Sequence, residues 1–186
     1  MLPIARAAMV CLALASASQA QAAFYIADTT DGPTFNRPFA DFSGLSGLAT
    51  DVAYHVYSFS VETAGSYLFR SFALGARQGA GWDQYLLLYQ GAFDPSMPTL
   101  NGVIGNDDFG QIGRSGFDID LMTGVPYFLV TTGFSNEDQG RFLNLIRGPG
   151  GVTPPVPEPG TYAMLALGLL GIAFAVRRRA SQRNDD

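Results

Sequence analysis

Phe117-Asp118-Ile119-Asp120-Leu121 alternates apolar and acidic residues with a step of two, and that step decides the fold. Successive side chains of an extended chain point to opposite faces, so Phe117, Ile119 and Leu121 share one face and Asp118 and Asp120 share the other. A strand of this kind has one wet face and one that must be buried against a second layer. His55, Tyr57, Phe59 and Val61 alternate with Val56, Ser58 and Ser60 in the same way. Residues 66–72, 84–89, 127–132 and 142–146 add short runs rich in aromatic and β-branched residues. Turn chemistry separates the runs: Ala64-Gly65, Phe93-Asp94-Pro95, Asn106-Asp107-Asp108-Phe109-Gly110, Thr123-Gly124 and Ser135-Asn136. None of the intervening sequence keeps a helical period. Some six or seven short strands in about 130 residues predict an all-β domain, an antiparallel, jelly-roll-like β-sandwich over residues 24–148.

The two ends of the chain are of another kind. Residues 1–23 carry one early charge, Arg6, then an apolar stretch, then small residues ending in Ala20-Gln21-Ala22. This is the pattern of a secretory signal peptide, with cleavage expected between Ala20 and Phe24. Cys11, the single cysteine, falls inside that leader and outside any lipoprotein-type box. The mature chain is therefore expected to have neither a disulfide nor a thiolate metal site, although its compartment permits disulfides. At the other end, residues 149–156 lose all periodicity and read as a linker stiffened by proline. Val156-Pro157-Glu158-Pro159-Gly160-Thr161 follows, then an uncharged apolar run, then Arg177-Arg178-Arg179. A helix over 161–176 measures about 24 Å against a hydrocarbon core of about 30 Å. It spans a bilayer if the arginines snorkel and the membrane thins locally. Arg177, Arg178 and Arg179 place the C-terminus in the cytoplasm and the rest of the chain outside.

The order of Pro157-Glu158-Pro159, one apolar segment and an arginine cluster, within residues 157–183, resembles the PEP-CTERM sorting signal of Gram-negative bacteria. The resemblance implies two processing partners: signal peptidase, and an exosortase that recognises Pro157, Glu158 and Pro159 and cuts nearby. It also implies transient membrane anchoring, delivery to the cell surface or extracellular matrix, and an organism that makes exopolysaccharide. A permanent single-pass anchor is the alternative. A second resemblance runs through Asp51-Val52, Tyr57-Ser58-Phe59-Ser60-Val61, Ala64-Gly65-Ser66-Tyr67, Trp82 to Tyr89, Asn106-Asp107-Asp108, Thr123-Gly124 and Tyr127-Phe128-Leu129-Val130. These segments look like the bacterial pre-peptidase C-terminal type of β-sandwich. Such domains are non-catalytic ancillary modules, some of which bind calcium or polymeric ligands. His55 and Gln90 stand where acidic residues are common in that family.

Over residues 24–152 thirteen acids face six arginines, and the chain has no lysine. That balance disfavours nucleic acid and anionic membrane surfaces and favours divalent cations. One histidine, His55, on the apolar face of its strand, leaves little for nucleophilic catalysis, and no Gly-x-Ser-x-Gly elbow, phosphate loop or histidine-based zinc spacing occurs. Paired carboxylates remain available for glycoside chemistry. Asp83, Asn106, Asp107 and Asp108 form a candidate calcium site, since calcium takes several oxygen ligands from loops. The competing reading is a set of local Asx turns. Trp82 follows Gly79-Ala80-Gly81 and is a candidate for stacking on a sugar ring, although aromatics at strand positions more often serve the core. The expectation is an exported, non-enzymatic surface or matrix protein. A calcium-assisted binder of extracellular polysaccharide is the alternative, and a secreted hydrolase the third reading.

Overall fold

A computed structural model describes residues 21–75, 82–154, 167–170 and 172. Pro157, Glu158, Pro159, Arg177, Arg178 and Arg179, and all of the leader before Gln21, lie outside the described residues. So does most of the segment 161–176; its residues 167–170 and 172 are helical. Among the described residues no helix is long and apolar enough to cross a membrane.

The strands are β1 (Gln21–Asp28), β2 (Thr34–Phe35), β3 (Val52–Val61), β4 (Gly65–Ala73), β5 (Gln84–Gln90), β6 (Gly102–Asn106), β7 (Arg114–Leu121), β8 (Tyr127–Gly133), β9 (Arg141–Gly148) and β10 (Val152–Thr153). They form two antiparallel sheets. One has the order β1-β9-β4-β7; the other has the order β10-β3-β8-β5-β6, with β2 also paired to β3. The alternation in β7 decides its packing: Phe117 and Leu121 are buried while Asp118 and Asp120 face solvent. Phe117 stands opposite Phe69, ring centroids 5.2 Å apart. Between the sheets Tyr67, Phe69, Phe117, Leu121 and Ile146 meet Phe59, Val61, Leu86, Leu88, Tyr127 and Leu129. The molecule is an antiparallel β-sandwich.

Residues 84–89 do not alternate, because β5 is buried on both faces. Leu86 and Leu88 enter the space between the sheets, whereas Tyr85, Leu87 and Tyr89 pack on the other side with Val52 and Val130 against Phe35, Ala40, Phe42 and Ala49. The segment between β2 and β3 therefore forms a third layer. It is closed on itself by Arg37 N–H to the Ala49 carbonyl (2.9 Å) and Ser46 N–H to the Arg37 carbonyl (2.8 Å). β6 lies beneath this layer, and a Cβ at Gly102 would fall on the Phe42 ring.

The stretch expected to be a linker begins inside the fold. Val152 and Thr153 pair with Val61 and Ser60, and the Tyr67 hydroxyl donates to the carbonyls of Thr63 (2.8 Å) and Gly150 (3.3 Å). Gln21 stands opposite Gly148. The chain thus enters the sandwich and leaves it at the same end. The start of β5, the ends of β6 and β8 and the start of β9 lie at the other end, roughly 25 Å away at about 3.3 Å per strand residue.

Candidate functional site

At that far end Asp83 immediately precedes β5. Its N–H donates to Asp138 Oδ1 (3.0 Å) and its carbonyl accepts from Phe134 N–H (2.9 Å). Asp138 Oδ2 accepts from the N–H (3.0 Å) and hydroxyl (2.6 Å) of Ser135, so the turn after β8 is closed by the same carboxylate that holds Asp83. Asp107 and Asp108 follow the last residue of β6. Asp83, Asp107 and Asp108 each bring a carboxylate oxygen within 4.8 Å of the others. Oδ1 of Asp83 and Oδ1 of Asp107 are buried and have no hydrogen-bond partner.

One cation offsets these charges from within. Arg37, only 2% exposed, stacks its guanidinium on the Tyr85 ring at 3.7 Å. It donates to the carbonyls of Pro38 (2.9 Å) and Phe134 (3.1 Å), and to Ser46 Oγ (3.4 Å). It makes no ion pair among the described residues, yet its field reaches Asp107 and Asp83. Burial lowers the pKa of the guanidinium. Burial, followed by repulsion from Asp83 and Asp108, pushes Asp107 up to about 6, with Arg37 pulling the other way. Asp83 is raised too, by burial first and then by Asp108 and Asp138. Crowded carboxylates with unpaired oxygens are stabilised by a proton or by a hard cation, whose ligands are oxygens.

Two of the expected residues are placed differently from the three carboxylates. Asn106 Oδ1 accepts from Gly116 N–H (3.0 Å) and Ser115 Oγ (3.4 Å), so this side chain ties β6 to β7. Trp82 is half-buried: its Nε1 donates to the Arg141 carbonyl (3.1 Å) and its ring meets Phe142 edge-on. A Cβ at Gly140, whose φ is 155°, would stand 2.6 Å from that ring, so the indole covers the start of β9. The glycine loop before Trp82 lies outside the described residues. His55 packs against Tyr25 and Phe142, and burial lowers its pKa. Its Nδ1 is buried without a partner, and it bonds no serine or carboxylate among the described residues. Arg37 and Asp138 complete the cluster and were not singled out by sequence. The Ser135-x-x-Asp138 spacing is a signal for the second; nothing in the pattern marks the first.

Residues 155–179 match the PEP-CTERM protein-sorting motif. The match supports sorting by an exosortase system and covers only the tail of the chain. No curated protein matches the chain. Among solved structures it is similar to a family 35 carbohydrate binding module from an environmental isolate, with 15% identity, 70% of this chain and 90% of that one covered, and a TM-score of 0.38. It is similar also to CBM35 from Cellvibrio japonicus Abf62 (15% identity, 72% and 99% covered, TM-score 0.37) and to the empty top component of Cowpea mosaic virus (13% identity, 76% and 93% covered, TM-score 0.31). At these scores the likenesses bear on neither ligand nor activity. The PEP-CTERM motif begins one residue after Pro154, two residues beyond the end of β10. The last strand before the motif therefore lies beside Ser60 and Val61, toward the end of the sandwich opposite the acidic cluster.

Proposed function

We propose that the chain is an exported, non-enzymatic surface or extracellular-matrix protein that an exosortase system sorts through its PEP-CTERM tail. The observation that carries this reading is the motif at residues 155–179, placed directly after the last strand of a closed β-sandwich. In this account signal peptidase removes the leader, the apolar run holds the precursor briefly in the membrane, and Arg177, Arg178 and Arg179 keep its end in the cytoplasm. Pro157, Glu158 and Pro159 mark the tail for the exosortase. A non-catalytic ancillary module, as the resemblance to pre-peptidase C-terminal domains implies, suits a domain whose one histidine packs among aromatic rings. Glu158→Ala with Pro159→Ala should leave a heavier precursor in the membrane fraction of the native host. Release of the same mature species as the parent would contradict the reading.

The acidic cluster favours a second reading, a calcium-assisted binder of extracellular polysaccharide. Its support is the unpaired buried Oδ1 atoms of Asp83 and Asp107 beside Asp108. An ion bound only to the folded state stabilises it by about 2.7 kcal/mol at a hundredfold excess over Kd. Calcium should therefore raise the melting temperature, magnesium much less, and Asp107→Ala should remove the shift. A glycan array read with and without chelator tests the polysaccharide, with Trp82 as the ring to substitute. Equal melting temperatures in millimolar calcium and in chelator would remove this reading and leave the first intact.

A further inference from the structure

β1 is an edge strand of its sheet. The N–H of Thr29 donates to the Gly140 carbonyl (3.1 Å), and Thr29 stands opposite Gly140 in the register that pairs Asp28 with Arg141. Hydrogen-bonded and non-hydrogen-bonded pairs alternate along an antiparallel ladder. The odd-numbered residues of β1 therefore turn their backbone groups to β9. Ala22, Phe24, Ile26 and Asp28 turn theirs to the open edge. The side chains of these same four residues lie on the outer face, opposite to Tyr25, which stacks on Tyr57 of the other sheet at 4.4 Å. Phe24 is 73% and Ile26 is 52% exposed. Among the described residues no strand pairs with this edge, and between Gln21 and Ala27 there is no proline, no charge and no interruption of register.

We propose that β1 pairs antiparallel with β1 of a second copy of this chain, with Tyr25 at the two-fold axis, joining two four-stranded sheets into one of eight. The order of residues selects both occupant and register. With Tyr25 at the axis Phe24 stands opposite Ile26 twice, in the precursor and in the processed chain alike, and in the precursor, where the leader is still attached, Ala22 stands opposite Asp28 twice. Moving the axis to Ile26 sets Phe24 against Asp28; moving it to Phe24 leaves Asp28 beyond the strand. The apolar side chains continue a stripe already present, since Phe24 neighbours Leu145 and Ile26 neighbours Leu143, which neighbours Phe72. Asp28 of the second copy arrives beside Ala22, whose other neighbour is Arg147. The two charges are then roughly 10 Å apart, about one Debye length, and of attractive sign. Two-fold pairing sends the tails out at opposite ends and sets one acidic cluster at each end of the dimer.

The test uses the full chain in mild detergent with Cys11→Ser, so that only introduced thiols can pair. Ala23 opposes Ala27 of the second copy as a non-hydrogen-bonded pair, with Cα atoms about 4.5 Å apart, within disulfide reach. Ala23→Cys with Ala27→Cys in one chain should oxidise to a covalent dimer, while Ala23→Cys alone, with its thiols about 13 Å apart, should not. Phe24→Lys with Ile26→Lys should abolish that cross-link and halve the mass seen by light scattering, with an unchanged far-ultraviolet circular dichroism spectrum and a melting temperature that no longer rises with protein concentration, because both side chains are exposed and the folded chain no longer gains from association. A parent that is monomeric at tens of micromolar, cross-linking by Ala23→Cys alone as complete as by the pair, or a dimer indifferent to the lysine substitutions would each overturn the proposal.

Discussion

Burial and two neighbouring carboxylates raise the pKa of Asp107, while Arg37 works against them. Its pKa of about 6 in the folded chain lies above the ordinary value of 3.8. Stability contributed by this group is fully present below about pH 4 and is lost as pH rises through about 6. Partial exposure screens the effect, leaving about 1 kcal/mol. In chelator at pH 7.5, Asp107→Asn should accordingly raise the melting temperature by about 3 °C, and the variant should gain less than the parent when pH falls to 5. A variant melting below the parent at pH 7.5 would contradict the electrostatic account. Arg37→Met should act the other way, costing about 3 kcal/mol by chemical denaturation, because the carbonyl of Phe134 loses its donor and Asp107 the one cation that acts on it among the described residues. The acids of this cluster were legible as a turn composition. Arg37 was not, since a buried cation one layer away leaves no local pattern, and the sequence did not show that the Asn106 amide bonds to β7.

At the scale of elements, β7 makes the sharpest prediction. Phe117 is 7% exposed and Asp118 shares an exposed ion pair with Arg70 at 2.8 Å. Phe117→Asp loses a buried ring and buries a carboxylate, at a cost of about 4 kcal/mol or more, most of what a domain of this size holds. Asp118→Asn should cost about 0–1 kcal/mol. Urea titrations of the two variants separate the faces; equal midpoints would mean that the register is displaced by one residue. β7 was legible because it has one wet face and so alternates; β3 was legible from Ser58 and Ser60 between its aromatic residues, although the β2–β3 segment covers Val52, Tyr54 and Val56 on its second face. β5 showed composition without period, because the β2–β3 segment covers its second face. β6 was missed because Gly102 and Gly105 make room for Phe42 and for Leu87 with Ala40, and glycine removes the strand signal it was placed there to permit. β1 was hidden by its neighbour in sequence, the leader, whose small residues run straight into Ala22 and Ala23. Two residues, Val152 and Thr153, are too few for any period to show.

For the whole molecule, the decisive geometry is that entry and exit share one end of the sandwich and the acidic cluster occupies the other. Removing the tail leaves both cores untouched, since their residues lie between Phe35 and Val152. Processing should thus change where the protein is without changing its fold. The central claim, export followed by tail-directed sorting, is tested most directly by the intact mass of the protein recovered from the surface of its native host. The account predicts a single species lacking residues 1 to about 22 and lacking residues 162–186. A species that retains Arg177, Arg178 and Arg179 in a host with a working exosortase would contradict it and make the tail a permanent anchor.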